Sequence, residues 1–263
     1  MSSGGRWSDL TTRLVSGLVM VLVGLTAVVL GGPVFSVFLA LICGAMVWEL
    51  VRMLLPDQRA PALMLGGGSG AALLVAVYVP GVFVLPLLLA PLLAGAGYLR
   101  QYRALLVLYG GLILLAGYAM MVERSAFGLV WILWLILVVI VTDVAGYFAG
   151  KSLGGPKLWP RVSPNKTWSG TLAGWIGAGL AGGLFALLLG TGAGIVALSI
   201  LASMASQLGD IAESAIKRRM GVKDSSALIP GHGGLLDRFD GMLAASVFVF
   251  IAGSLTGFAL GAQ

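Results

Sequence analysis

The stretch "SAFGLVWILWLILVVIVT", residues 125–142, contains no charged side chain and decides the class of fold. A helix rises about 1.5 Å per residue, so about 20 such residues cross the roughly 30 Å of hydrocarbon in a bilayer. The whole chain shares this character, since 59% of its 263 residues are hydrophobic and only 10% are charged. Soluble domains contain about 25% charged residues. The sequence therefore predicts an all-α, polytopic integral membrane protein.

Charge-free runs elsewhere in the chain predict about nine transmembrane helices. The longest runs, 14–48, 60–99 and 167–209, each contain a glycine or proline breaker near the middle. A "GGGSG" segment at 66–70 lowers the helix propensity of the third helix. The lone Cys43 indicates a small core residue and excludes a disulfide framework. Splitting the runs at the breakers predicts helices near 14–30, 34–55, 60–78, 82–99, 104–122, 126–149, 170–189, 193–217 and 241–261.

The basic residues predict the orientation of these helices. With the N-terminus inside and nine spans, the segments 1–13, 50–59, 100–103, 150–169 and 218–240 face the cytoplasm. These segments and their flanking helix ends hold fifteen of the sixteen Lys and Arg residues, the exception being Arg124. Such a positive-inside bias predicts an N-in, C-out topology. It also explains the net charge of +6 through anionic lipid, so no nucleic-acid partner is expected.

Acidic residues are concentrated in the C-terminal part of the chain. Asp143 lies near the cytoplasmic end of the sixth helix, where an ionisable residue is a functional candidate or a partner in a structural ion pair. The eighth helix ends in "SQLGDIAESAIKRRM", residues 206–220, which places Asp210, Glu213 and Lys217 on one face. This face suits a metal ion beside a phosphate. The alternative is a helix that becomes amphipathic where it leaves the membrane.

The following segment, "KDSSALIPGHGGLLDRFDG" at 223–241, is a glycine-rich loop that returns Asp237 and Asp240 to the membrane surface. Carboxylates from two helices favour a hard cation such as Mg²⁺ over zinc. Glycines beside such a site let backbone amides approach phosphate oxygens. His232 is a ligand, an acid–base group or a hydrogen-bonding residue that positions the loop.

A second basic loop, "KSLGGPKLWPRVSPNKTWSG", occupies residues 151–170. Its cations, Lys151, Lys157, Arg161 and Lys166, can hold an anionic headgroup or a triphosphate. The alternative is the ordinary positive charge of a cytoplasmic loop.

Residues 214–240 read S-x-x-K-R-x4-K-D-x-S-x-x-I-P-G-H-G-G-x-x-D-R-x-D. This pattern closely resembles the signature of the phosphatidate cytidylyltransferases, also called CDP-diacylglycerol synthases. "QLGDIAES" at 207–214, "SPNKTWSG" at 163–170 and "DVAGYFAGK" at 143–151 resemble the same family. The resemblance covers about the C-terminal half of the chain, with Ser226 standing where Gly is common. We therefore expect a membrane region of five helices in 1–122 and a half that carries the site in 123–263.

The resemblance implies an enzyme that makes CDP-diacylglycerol and pyrophosphate from CTP and phosphatidic acid with Mg²⁺. It also implies a bacterial-type cytoplasmic membrane, a site on the cytoplasmic side, K⁺ as a second cation and a homodimer. Metal ligation is carried over to Asp210 and Asp237, with Asp143, Glu213 and Asp240 as supporting candidates. The predicted catalytic residues are Asp210, Asp237, Lys217, Arg238 and Asp143. The predicted substrate-binding residues are Ser163, Lys166, Thr167, Arg218, Lys223, His232, Gly233 and Gly234.

The chemistry of this reaction agrees with the residue types present. The attacking phosphate monoester, with a second pKa of about 6, is largely ionised and needs no general base. Bringing two polyanions together requires metal ions and cationic side chains. The acyl chains would reach such a site laterally from the bilayer.

Three other functions are weaker fits to the sequence. A cation-coupled transporter would carry acids near mid-membrane in two related halves, whereas these acids cluster at one boundary in one half. An alcohol phosphotransferase would carry a D-G-x-x-A-R pattern, which "DRFDGMLAAS" at 237–246 does not supply. A lipid-binding scaffold has little need of acids clustered beside bases.

Overall fold

The computed structural model describes residues 4–256, and within them the chain forms nine helices and one β-hairpin. Eight of these helices are long and apolar enough to cross a membrane, so the chain is a polytopic membrane protein. The predicted helices are confirmed as elements, although the first begins at Gly4 instead of residue 14. The predicted end of the last helix, at 261, lies outside the described residues. The elements are α1 (Gly4–Leu30), α2 (Gly32–Leu54), α3 (Arg59–Ala76), α4 (Gly81–Gly95), α5 (Arg103–Phe127), α6 (Leu129–Ser152), β1 (Lys157–Trp159), β2 (Ser163–Thr167), α7 (Trp168–Leu189), α8 (Gly194–Arg219) and α9 (Leu236–Thr256).

Helix α4 is shorter than the sequence predicts. It has 15 residues and contains Pro86 and Pro91, and it ends at Gly95 instead of near residue 99. A helix of this length rises about 22 Å, which is less than the roughly 30 Å of hydrocarbon. Each internal proline removes one backbone hydrogen bond. The structure therefore supports eight full-length spans in the described residues, where the sequence predicts nine.

The basic loop before α7 corrects the all-α prediction. β1 and β2 pair antiparallel, with Lys157 opposite Thr167 and Trp159 opposite Ser163. Prolines recur through this loop and exclude a helix, because proline fixes φ and lacks a backbone donor. The extended backbone that remains pairs as a short hairpin.

The chain divides into two compact units. The first contains the chain up to Met121 together with Met220–Phe239, and the second contains Val122–Arg219 and the chain from Asp240 onward. Residues 220–235, which we call the signature loop, thus belong with the first five helices. The predicted division at residue 122 stays a prediction. Cys43 is buried, which confirms it as a core residue.

In the first unit, α2 packs closely on α3 through glycines. A Cβ atom on Gly66 would lie 2.7 Å from the carbonyl oxygen of Gly44, and one on Gly70 would lie 2.8 Å from that of Ala40. Small residues allow such close approach of membrane helices. The glycine-rich segment therefore forms a helix despite its low propensity, because its glycines face α2.

In the second unit, polar side chains tie α6 and α7 to α8. Thr142 Oγ1 donates a hydrogen bond of 2.8 Å to Ser203 Oγ. Trp175 Nε1 donates one of 2.9 Å to Gln207 Oε1. Hydrogen bonds between membrane helices each contribute about 0.6–2 kcal/mol. These contacts fix the two helices that carry Asp143 and Asp210.

Candidate active site

The second unit contains a cavity of about 580 Å³ beside the C-terminal halves of α6 and α8, the hairpin and the first turn of α7. Backbone glycines and polar side chains form most of its wall. The charged residues that line it are Asp143, Lys151, Lys157, Lys166 and Asp210. The basic loop and the acids of the sixth and eighth helices, which the sequence singles out separately, therefore meet in one place.

An ion pair joins opposite walls of this cavity. Lys166 Nζ on β2 lies 2.5 Å from Asp210 Oδ2 on α8, and the two side chains are 24% and 30% exposed. Ser214 Oγ, one turn further along α8, donates a hydrogen bond of 3.2 Å to Asp210 Oδ1. Because the pair is partly open to solvent, both charges can exchange partners with incoming ions.

Thr167 begins helix α7 at the edge of the cavity. Its hydroxyl accepts a hydrogen bond of 3.2 Å from Gly170 N, so it acts as the N-cap. A threonine at this position satisfies one of the amides that a helix leaves without a partner. The amides and the positive end of the α7 dipole therefore face a cavity that already contains three lysines.

Further predicted residues lie near Asp210. Asp240 is within electrostatic range of Asp210, Asp143 and Lys217, and its Oδ1 accepts a hydrogen bond of 2.7 Å from Gly241 N. Glu213 is fully buried and forms an ion pair with Lys217, with 2.5 Å between Nζ and Oε2. The second unit thus brings most of the predicted acids together.

The donor chemistry of this cluster suits a hard cation. Within residues 4–256, no three His, Cys, Asp or Glu side chains are close enough to form a ready-made metal site. Mg²⁺ is commonly bound by one or two carboxylates, with substrate phosphates and water completing its shell. Asp143 and Asp210, which line the same cavity, fit that pattern. Metal ligation by Asp210, Asp237, Glu213 and Asp240 stays a prediction.

The first unit contains a second cluster, built around Asp237. Its Oδ2 atom accepts three hydrogen bonds of 2.8 Å, from Ser225 N, Ser225 Oγ and Gly234 N. Gly233 has a φ of 83°, and a Cβ atom there would lie 2.9 Å from Asp237 Oδ2. Gly233 and Gly234 thus let the backbone approach the Asp237 carboxylate closely, and the N–H group of Gly234 donates to it.

His232 is held by α1 and by the first turn of α9. Its Nδ1 lies 2.9 Å from Ser16 Oγ on α1, and Ser16 Oγ also donates to the Pro230 carbonyl at 3.0 Å. Arg238 Nε donates to the His232 carbonyl at 3.1 Å. These contacts favour the positioning role among those that the sequence leaves open for His232.

The remaining predicted residues lie at the edges of these clusters. Lys223 and Arg218 are exposed, and Ser163 is half-buried on β2. Their predicted roles in substrate binding stay predictions, as does the metal site shared by Asp210 and Asp237, which belong to different units.

Glu49 and Ser225 belong to the cluster around Asp237, and the sequence analysis misses both. Glu49, on α2, is 0% exposed, and its carboxylate accepts hydrogen bonds from the signature loop. Ser225 contacts both Glu49 and Asp237. A signal for Glu49 was available, because an acid inside a membrane-spanning helix marks a functional candidate.

Comparisons with known proteins identify the family of this chain. A family model described as "Cytidylyltransferase family" matches residues 11–256. Proteins from Brucella suis biovar 1 (strain 1330) and Brucella melitensis biotype 1 are each 37% identical, over 94% of both chains. One from Bacillus subtilis (strain 168) is 42% identical over 47% of both chains, and all three are named phosphatidate cytidylyltransferase. The chain therefore belongs to the cytidylyltransferase family.

Proposed function

We propose that this membrane protein transfers CMP from CTP to phosphatidic acid, giving CDP-diacylglycerol and pyrophosphate. The observation that carries the proposal is the cavity in which Lys166 and Asp210 meet beside two further lysines. Membership of the family and the names of the relatives support it. The comparisons give no support to a cation-coupled transporter.

The cavity supplies what a triphosphate needs. Lys151, Lys157 and Lys166 are cations that can offset phosphate charge, and the α7 N-terminus adds backbone donors. At about 580 Å³ the cavity is in the size range of small-molecule sites. We therefore assign the nucleotide phosphates to this cavity.

The reaction requires charge neutralisation and alignment more than acid–base chemistry. An oxygen of the phosphatidate monoester attacks the α-phosphorus of CTP, and a new P–O bond forms. The bond from the α-phosphorus to the α–β bridging oxygen breaks, and its electron pair leaves with pyrophosphate. Since the monoester is already largely ionised, no side chain has to remove a proton first. Mg²⁺ bound to Asp143 and Asp210 would supply positive charge to the phosphates, and K⁺ is proposed as a second cation.

The proposed setting is the cytoplasmic membrane of a bacterium, with the N-terminus and the site on the cytoplasmic side. The positive-inside distribution of Lys and Arg supports this orientation. Phosphatidic acid would enter from the bilayer and CTP from the water phase. A homodimer is part of the same proposal and rests on the resemblance.

The test is pyrophosphate release from CTP by the purified protein in detergent, with and without phosphatidic acid and Mg²⁺. We expect release only when both are present. Asp210→Asn should lower it by about 100-fold, because the cavity loses a negative charge that binds metal. Asp57→Asn, a matched change at an exposed loop acid, should leave release unchanged.

Two results would contradict the proposal at different points. A folded, membrane-inserted protein that releases no pyrophosphate would exclude the reaction. Full release by Asp210→Asn would keep the reaction and exclude this cavity as its site.

A further inference from the structure

Glu49 is a fully buried acid that lies far in sequence from the motifs of the site. It is on α2, inside a membrane-spanning helix, and its exposed fraction is 0%. Burying a carboxylate is costly unless hydrogen bonds satisfy it. The partners of its two oxygens therefore indicate what the residue does.

Within residues 4–256, the hydrogen-bond partners of the Glu49 carboxylate come from the signature loop and from Leu236, the first residue of α9. Oε2 accepts a hydrogen bond of 2.8 Å from Leu236 N, and Oε1 accepts one of 2.9 Å from Leu235 N. Ser226 Oγ donates to Oε1 at 2.6 Å. Backbone N–H groups can only donate hydrogen bonds, so both side-chain oxygens of residue 49 have to act as acceptors.

Neighbouring residues of the same loop surround Asp237. Ser225 Oγ lies 2.8 Å from Asp237 Oδ2 and 3.4 Å from Glu49 Oε2, so it bridges the two carboxylates. Gly234 N donates to Asp237, and a Cβ atom on Gly234 would collide with Ser225 Oγ and with the Glu49 carboxylate. Glu49 and Asp237 are therefore held by adjacent residues of one short stretch of backbone.

The stretch has little regular secondary structure to keep its shape. The loop contains glycines with positive φ at Gly221, Gly231 and Gly233, and its regular pairing is limited to an isolated bridge between Ile229 and Gly233. Glycine-rich backbone has a large conformational freedom that an anchor must offset.

We propose that Glu49 is a positioning residue, which fixes the signature loop and thereby holds Asp237 in the orientation needed for turnover. The catalytic part of this inference rests on the proposed function and on the predicted metal role of Asp237. The anchoring part does not. Second-layer groups that orient ligands typically change metal affinity or activity by about 10- to 100-fold when they are removed.

The decisive variant is Glu49→Gln, which keeps the shape of the side chain. Its NH₂ group cannot accept, so one of the two backbone donors loses its partner. We expect amide hydrogen exchange at Leu235 and Leu236 to rise by about 10-fold or more in detergent. Glu123→Gln, the same change at another buried acid, should leave exchange at these amides unchanged.

Turnover gives a second measurement. For Glu49→Gln we expect kcat to fall by about 10- to 100-fold and the Mg²⁺ concentration for half-maximal turnover to rise, with little change in KM for CTP. Ser226→Ala removes one donor and leaves the carboxylate, so it should produce a smaller change in the same direction. A loss of general stability would not shift the Mg²⁺ requirement.

The outcomes separate the anchor from the reaction. Unchanged exchange at Leu235 and Leu236 in a folded Glu49→Gln protein would overturn the anchor. If that variant does not fold, Glu49→Asp decides, because its carboxylate is one methylene shorter and cannot accept from both Leu235 N and Leu236 N at the observed distances, so wild-type exchange in it would equally exclude the anchor. An unshifted Mg²⁺ requirement with faster exchange would overturn the positioning of Asp237. A wild type without turnover would exclude the proposed function, and the exchange result would still stand.

Discussion

In the ion pair, the Asp210 carboxylate stands where a phosphate of CTP would pair with Lys166. The Lys166 ammonium stands where a metal cation would pair with Asp210. In the structure the ammonium group neutralises the carboxylate at 2.5 Å. A bound triphosphate would give Lys166 a more highly charged partner, and a cation would do the same for Asp210. In the proposed reaction, the ion pair would therefore neutralise both charges until CTP and the cation bind.

We predict that Lys166→Gln lowers kcat/KM for CTP by about 100-fold, because one charged contact to the phosphates is lost. Steady-state pyrophosphate release measures the effect. Arg100→Gln, at an exposed cation in the loop after α4, should retain wild-type kcat/KM. Equal rates for Lys166→Gln and Arg100→Gln would show that Lys166 does not bind the nucleotide.

The residues of the site could be predicted where they fall in a local pattern, and not where they depend on distant contacts. The signature draws attention to Asp237, Gly233 and Gly234 within a few positions of one another. Glu49 is separated from its partners by 176 to 187 positions, so no spacing rule connects them. Only the folded chain shows that contact.

At the scale of elements, the α2–α3 contact depends on which face of α3 carries each glycine. Gly66 and Gly67 are neighbours in sequence, yet a Cβ atom on Gly66 would meet Gly44 O and Trp48 Cβ within 3 Å. A Cβ atom on Gly67 would meet nothing within 4 Å. A substitution at Gly66 therefore tests the α2–α3 contact, and the same substitution at Gly67 is its control.

We predict that Gly66→Ala destabilises the protein by about 1–3 kcal/mol, because the helices have to move apart. Gly67→Ala should be neutral or stabilising by up to about 1 kcal/mol, since alanine favours the helix. Thermal unfolding in detergent compares the two. Equal melting temperatures for the two variants would show that α2 and α3 do not pack through Gly66.

The elements were largely predictable because apolar runs and breakers are local signals. All nine helices were expected, since bilayer length and charge-free runs set their number. The hairpin and the early end of α4 were not expected. A three-residue strand such as Lys157–Trp159 has no periodic signal of its own, and Pro86 and Pro91 occur in α4 without ending it.

At the scale of the whole molecule, the orientation depends on whether the short helix α4 crosses the bilayer. If it does, the loops before α3 and after α4 lie on the same side, as in the nine-span topology. If it does not, they lie on opposite sides. The positive-inside bias favours the first arrangement.

Single cysteines in a Cys43→Ala background test this prediction. We expect Gln58→Cys and Gln101→Cys, both exposed, to react with a membrane-impermeant maleimide in inverted vesicles and not in intact spheroplasts. Ala193→Cys, in the turn before α8, should show the reverse. Labelling of Gln58→Cys and Gln101→Cys from opposite sides would exclude α4 as a span, and the reverse pattern at all three would invert the topology.

The long separation between Glu49 and its partners has a consequence for how the chain is made. Ribosomes add about 5–20 residues per second, so the last partner, Leu236, is synthesised about 10 to 40 s after Glu49. During that interval α2 has entered the bilayer with an acid whose donors do not yet exist. The first five helices therefore cannot reach their final state in order of synthesis, and a nascent chain arrested before residue 220 would carry an exposed defect that quality-control proteases can recognise.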